Sequence, residues 1–207
     1  RPCTTSITGC TNEGKVESIA KGNHTYTAGI CIIYNGSNGS TYADELIINN
    51  CVNNGEIEGD TVAGIIGNSS GNLKLSDCEN NGAINGRYSA GGIAQCIENK
   101  NSNEAEVSNC INNGNVFGGE EAAGIIDYAE GITVTNCINN GNISSNGYVG
   151  GIFSYTSSVK GTGLVNNGKI SGLEDIGGIS AYDEGNSIFS KLYNTGVIDE
   201  ENIGAQV

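Results

Sequence analysis

A short pattern that recurs along the whole chain constrains the fold more than any other feature of this sequence. The pattern is Cys-x-Asn-Asn-Gly-x-Ile/Val, and its complete copies are Cys51–Ile57, Cys78–Ile84, Cys110–Val116 and Cys137–Ile143. Variants extend the series at Cys10–Val16, Leu164–Ile170 and Leu192–Ile198. Copies at intervals of about 27 residues are typical of a solenoid, in which each repeat packs only on its neighbours.

The residues between the copies indicate strands rather than helices. Apolar and polar residues alternate in Leu73–Leu75 and Ile132–Val134, which is the period of a β-strand. Asn-Gly and Gly-Gly pairs mark turns at short intervals. The sequence therefore predicts an all-β fold, with residues 1–207 forming one domain. We expect a single right-handed parallel β-helix of about seven coils, with ~27 residues per coil.

Identical residues at one repeat position are expected to stack from coil to coil. The first Asn of each Asn-Asn pair should contribute to a ladder of hydrogen-bonded amides at a turn. The Gly that ends the Asn-Asn-Gly run should supply a left-handed or strained turn conformation. The predicted ladder contains Asn53, Asn80, Asn112, Asn139 and Asn166.

The cysteines at the first position of the pattern are interpreted as a buried column. Leu164 and Leu192 occupy the same position in later copies, which indicates an apolar core slot. Stacked residues of parallel strands also have poor geometry for a disulfide. We therefore expect reduced, buried thiols at Cys51, Cys78, Cys110 and Cys137. Cys3, Cys31 and Cys96 lie off this column, and a disulfide among them stays open.

Charge and composition argue against several classes of function. The formal net charge is −14, with only 9 Lys and Arg, so the sequence predicts no nucleic-acid partner. No apolar stretch is long enough for membrane insertion. A single histidine argues against multi-histidine metal sites and histidine-based catalysis, and we expect no cofactor.

A second pattern, a small residue followed by Gly and Ile, recurs after each Asn-Asn-Gly run, as at Ala63–Ile65 and Ala123–Ile125. Acidic residues recur just before this pattern, in equivalent loops. We interpret them mainly as a solvated edge that promotes solubility and blocks pairing of sheet edges. Weak surface calcium and paired-carboxylate catalysis are the two alternatives. These residues are Asp60, Glu120, Glu121, Glu174 and Asp175.

Two insertions in the first repeat provide the candidate ligand site. They carry the only histidine, three tyrosines and two acids, which together could contact a glycan or a peptide. The alternative is that the two insertions cap the N-terminal end of the core. A separate set of tyrosines is expected to stack on one another as part of the fold, and its members are Tyr128, Tyr155 and Tyr182. The candidate ligand residues are His24, Tyr26, Tyr34, Tyr42, Asp44 and Glu45.

The runs Cys110–Ile125 and Cys137–Ile152 resemble the GLUG repeat, which is found in bacterial surface proteins, including immunoglobulin A1 peptidases. The resemblance implies an extracellular or cell-wall-associated bacterial module that is not an enzyme. It would act as an adhesin or stalk and present a binding surface to a host glycan or protein. A polysaccharide-active β-helix enzyme and a purely structural spacer are the alternatives. Since the chain begins at Arg1 rather than Met, we expect a fragment of a larger surface protein.

Overall fold

Short β-strands are the regular elements of the chain in the computed structural model, which describes residues 4–19, 25–32, 45–99 and 105–200. The strands of the first three repeat copies are β1 (Thr4–Thr8), β2 (Thr11–Asn12), β3 (Val16–Glu17), β4 (Tyr26–Ala28), β5 (Glu45–Asn49), β6 (Val52–Asn53), β7 (Ile57–Ala63), β8 (Ile66–Ser70), β9 (Asn72–Ser76), β10 (Glu79–Asn80), β11 (Ile84–Gly91) and β12 (Ala94–Glu98). The next two copies contain β13 (Glu106–Ser108), β14 (Ile111–Asn112), β15 (Val116–Gly118), β16 (Glu121–Ala123), β17 (Ile126–Glu130), β18 (Thr133–Thr135), β19 (Ile138–Asn139), β20 (Ile143–Ser145), β21 (Tyr148–Gly150) and β22 (Phe153–Ser157). The last two contain β23 (Lys160–Asn166), β24 (Ile170–Gly172), β25 (Ile176–Gly177), β26 (Ser180–Asp183), β27 (Ile188–Asn194) and β28 (Ile198–Glu200).

These strands form three parallel sheets, which we call A, B and C in the order in which each coil visits them. Sheet A has 12 strands, sheet B has 11 and sheet C has 5. Each strand pairs with the equivalent strand one coil away, so that Leu46 pairs with Leu73 and Val107 pairs with Val134. The all-β parallel solenoid that the sequence predicts is therefore confirmed. Its right-handed winding stays a prediction from the crossover preference of parallel strands.

The number of complete coils is smaller than the sequence predicts. Sheet C stacks only β8, β12, β17, β22 and β26, so about five turns of about 28 residues pass through all three sheets. Within its described residues, the first copy reaches sheet C through an isolated bridge between Cys31 and Ile66. The last copy is described as far as sheet B, where β28 ends at residue 200.

Inward-facing side chains form two apolar clusters that run along the solenoid. One cluster lies between sheets A and C and includes the stacked residues Ile48, Leu75, Val107 and Val134. The other lies inside sheet B and includes an Ile/Val column that begins at Ile57. Because each column repeats one side-chain shape at the strand spacing, neighbouring coils pack without rearrangement.

The predicted cysteine column is part of the first cluster. Cys51, Cys78, Cys110 and Cys137 are buried and free of disulfides. Their burial is therefore confirmed, and none of the four forms a disulfide in the structure, while their reduced state in solution stays a prediction. Cys31 and Cys96 are also free, while Cys3 lies outside the described residues.

The predicted amide ladder is also confirmed, and it is continuous. Nδ2 of Asn53 donates to Oδ1 of Asn80 at 2.7 Å, and the same bond joins each further pair as far as Asn194. The second hydrogen of Asn53 Nδ2 is donated to the carbonyl oxygen of Gly55 at 2.8 Å. The ladder amides are fully buried from Asn53 to Asn166, so these bonds satisfy polar groups that water does not reach.

The glycine of the pattern has a different role from the predicted one. The left-handed residue is the one before the cysteine position, as at Asn50 and Asn136, where φ is 52° and 53°. The motif glycine is instead required by close approach, since a Cβ on Gly141 would lie 1.9 Å from the carbonyl oxygen of Gly114. The expectation of a left-handed or strained glycine was therefore wrong. A left-handed backbone and a close approach between coils both select glycine, so the sequence alone does not distinguish them.

Candidate functional site

The N-terminal ligand residues are only partly described. His24, Tyr34, Tyr42 and Asp44 lie outside the described residues. Tyr26 is on β4 of sheet B, where it pairs with Thr61 and its Cβ faces Gly67. Glu45 is on β5 of sheet A and forms an ion pair with Lys74 at 2.5 Å. The two described members therefore lie on different sheets.

The predicted acidic edge contains one buried residue, Asp60. Its side chain is 1% exposed, and Arg87 Nε donates to its Oδ1 at 2.6 Å. Burial alone would raise the pKa of Asp60, but the Arg87 guanidinium and hydrogen bonds from Thr25 hold it below the usual value. The interpretation of Asp60 as a solvated edge residue was wrong, since it anchors an ion pair between neighbouring coils.

Other members of the acidic edge do come together. Glu120, Glu121 and Glu174 line one surface depression on sheet B, beside the ring of Tyr148. Burial and the neighbouring Glu120 carboxylate raise the pKa of Glu121. Asp175 is exposed.

A buried carboxyl group, Asp127, lies next to this depression at the corner between sheets B and C. Its side chain is fully buried, and Gln95 Nε2 donates to its Oδ2 at 3.1 Å. The hydroxyl of Ser154 also donates to Oδ1 of Asp127. Burial and the Glu121 carboxylate raise the pKa of Asp127 to about 8, against the opposing effect of its hydrogen bonds. The group is therefore largely protonated at neutral pH.

Sequence reasoning missed Asp127, although a signal was present. Gln95, Asp127 and Ser154 occupy one position in successive strands of sheet C, where the earlier coil has Gly67. A lone acid in a column otherwise made of small or neutral residues marks an unusual environment. Its contact with sheet B depends on how the two sheets meet at the corner, which periodicity does not reveal.

The tyrosines of sheet C form the expected stack. The rings of Tyr128 and Tyr155 are 4.7 Å apart and nearly parallel, and Tyr182 continues the column at 5.4 Å. The hydroxyl of Tyr128 donates to Glu130 at 3.0 Å, and that of Tyr155 donates to Glu184 at 2.6 Å. Because the facing rings cover each other, stacking of a sugar on these inner faces is blocked.

Sheet B carries a second depression, centred on an exposed aromatic ring. Phe117 is 43% exposed on β15 and is surrounded by asparagine and serine side chains. Because the depression combines an apolar ring with polar groups, it has the mixed lining of a small-molecule site.

Two further features bear on the chemistry of the surface. Among the described residues, no three His, Cys, Asp or Glu side chains converge on a position that could hold a metal ion. The same part of the chain has no helix with the length and apolar character of a membrane span.

No protein-family model, curated protein or solved structure matches this chain.

Proposed function

We propose that the chain is a non-catalytic repeat module of a bacterial surface protein, extracellular or associated with the cell wall. In this proposal the solenoid is a stiff scaffold that presents a binding surface to a host glycan or protein. The observation that carries the proposal is the unbroken amide ladder from Asn12 to Asn194, which joins every repeat copy to the next. A scaffold whose coils are linked in this way transmits force along its axis and holds surface residues at fixed spacings.

The polar side chains described above mostly form hydrogen bonds or ion pairs that hold neighbouring coils together. Asn112 is bonded on both sides within the ladder, and Asp60 is held by Arg87. An enzyme would instead need acids that are both perturbed and accessible to substrate. This distribution favours a scaffold over an enzyme.

One pair of carboxyl groups favours the enzyme alternative. Asp127 and Glu121 are neighbouring carboxyl groups with raised pKa values, an arrangement that glycosidases use for acid catalysis. However, Asp127 is 0% exposed, so it does not reach a substrate in this conformation. We therefore keep polysaccharide hydrolysis as the second candidate.

The test uses the 207-residue chain with a fluorescent label on its amino groups. The labelled protein is applied to an array of host glycans and to a panel of extracellular host proteins. Release of reducing ends from the same glycans is measured in parallel. Saturable binding without release supports the proposal, whereas release that is abolished in Glu121→Gln identifies an enzyme. If the chain binds neither the glycans of the array nor the host proteins of the panel, the purely structural spacer is favoured.

A further inference from the structure

The exposure of Phe117 does not result from a missing neighbour. Its strand, β15, pairs with β11 on one side and with β20 on the other, so the ring lies in the middle of a continuous sheet. Most other strongly exposed apolar side chains of the described chain belong to the last copies or flank undescribed segments. Phe117 belongs to neither apolar core cluster, so the exposed part of its ring contributes nothing to core packing.

The repeat itself shows that Phe117 departs from the pattern. The equivalent residues one coil before and one coil after are Asn85 and Ser144, and Ser171 follows in the next coil. All three are polar, as expected for the solvent face of a sheet. The phenyl group at this level is therefore not needed to form the sheet.

Two asparagines beside the ring are fixed as hydrogen-bond donors. Oδ1 of Asn115 accepts from the backbone N–H of Asn142 at 3.0 Å, and Oδ1 of Asn142 accepts from the backbone N–H of Lys169 at 3.1 Å. Because both oxygens are held by the backbone, the Nδ2 groups of these exposed residues are left to donate outwards. Neither Nδ2 group bonds to another residue in the described part of the chain.

The charge at this depression also differs from the rest of the molecule. Its lining includes Lys169 but no carboxylate, although the chain carries a net charge of −14. Lys169 forms an ion pair with Asp199 at 2.7 Å at the margin. The depression is therefore suited to a ligand that is rich in neutral oxygen acceptors.

From this arrangement we propose that the Phe117 depression binds a sugar unit of a neutral glycan. The ring packs against the apolar C–H face of the sugar, while Nδ2 of Asn115 and Nδ2 of Asn142 donate to its hydroxyl or carbonyl oxygens. This inference rests on the proposed function as a binding module and names the ligand class and the site.

A glycan fits these features better than a protein partner does. A peptide that adds a strand needs a free sheet edge, and β15 is paired on both sides. A protein interface of ordinary size needs a cluster of buried anchors, whereas the Phe117 depression offers one aromatic ring. A single sugar unit needs only one ring and a few oriented donors.

The test measures binding of the full chain to neutral and acidic glycans on an array, followed by titration of the best neutral glycan in solution. Phe117→Ser introduces the residue that the next two coils carry at this position, so the melting temperature should not fall. Asn142→Asp keeps the oxygen that accepts from Lys169 but replaces the outward donor. Tyr193→Ser is the matched control, since it removes an aromatic ring that is 62% exposed on the last copy.

We expect at least about tenfold weaker binding for Phe117→Ser and for Asn142→Asp, with no change for Tyr193→Ser. Glycan binding that survives both site substitutions would overturn the site while leaving the proposed function intact. Binding to a host protein but to no glycan would likewise overturn only the ligand class. If the chain binds neither glycan nor protein, the proposed binding function fails together with this inference.

Discussion

Asn53 donates through Nδ2 to Oδ1 of Asn80 at 2.7 Å, in the direction from the earlier coil to the later one. The neighbouring residues run the other way, since Nδ2 of Asn81 donates to Oδ1 of Asn54 at 2.9 Å. The buried ladder and the exposed ladder are therefore two columns of aligned amides with opposite polarity. Their dipoles oppose each other along the solenoid axis, so the stacking creates little net field at its ends.

The buried ladder should contribute far more to stability than the exposed one. Asn112→Ala leaves the Nδ2 group of Asn80 and the Oδ1 atom of Asn139 without their ladder partners in the dry interior. We expect a loss of about 2–5 kcal/mol in the free energy of unfolding. Asn113→Ala, which removes an adjacent but exposed amide, should cost less than about 1 kcal/mol because water replaces its bonds. Urea denaturation measures both, and equal shifts in midpoint would contradict the distinction.

The close approach of the motif glycines predicts that one of them is far less tolerant than another. Gly141→Ala places a Cβ 1.9 Å from the carbonyl oxygen of Gly114, so the coils must move apart. The expected loss is at least about 3 kcal/mol, and failure to fold meets the same expectation. Gly14→Ala is the matched control, because nothing lies within 4 Å of its Cβ position. Similar melting temperatures for the two variants would argue against steric contact as the reason for glycine.

The sequence predicted the features that depend on repetition and missed those that depend on the meeting of different sheets. Asn53 and Cys51 recur at a fixed spacing, and stacking of equal residues follows directly from a parallel solenoid. The raised pKa of Asp127 depends on Glu121, which lies on sheet B, and residue spacing within one repeat carries no information about that contact. The Asp60–Arg87 ion pair is different, because both residues lie on sheet B 27 residues apart, so the repeat period would have predicted it.

The cysteine column predicts a clear order of thiol reactivity. Hydrogen bonding by the neighbouring Cys137 thiol and burial raise the pKa of Cys110. Hydrogen bonding by the Cys110 thiol and burial likewise raise the pKa of Cys78. Cys10, at the same repeat position in the first copy, is exposed. In the native protein a thiol reagent should therefore label Cys10 within minutes, while the buried members react only after unfolding. Mass spectrometry of labelled peptides provides the measurement, and rapid labelling of Cys110 would contradict the buried column.

Asp127 should make the protein less stable as the pH rises. Its pKa is raised from 3.8 to about 8, so between these values the unfolded chain releases a proton that the folded chain retains. The unfolded state then binds fewer protons, and the free energy of unfolding falls with increasing pH across this window. Asp127→Asn removes this dependence, and we expect it to be more stable than the parent by a few kcal/mol at pH 8 but not at pH 4. Thermal unfolding of both proteins from pH 4 to pH 8 tests this, and a constant difference in melting temperature would exclude Asp127 as the source.

The exposed amide ladder should also protect its asparagines from deamidation. In an Asn-Gly pair the glycine nitrogen attacks Cγ of the asparagine and ammonia leaves, after which water opens the succinimide ring to a carboxyl group. In Asn113, Nδ2 donates to Asn81 at 2.9 Å and Oδ1 accepts from Asn140 at 2.8 Å, so the side chain is held away from the attack geometry. Asn146 also precedes a glycine, is exposed, and forms no side-chain hydrogen bond to another described residue.

On ageing at neutral pH, Asn146 should therefore deamidate at least about ten times faster than Asn113, which corresponds to a barrier lower by about 1.4 kcal/mol. Peptide mass spectrometry of aged samples gives both rates. Asn140→Ala removes the donor to Asn113 Oδ1 and should accelerate deamidation at Asn113 while leaving Asn146 unchanged. If that variant leaves the rate at Asn113 unaltered, backbone rigidity rather than the ladder is the protecting factor.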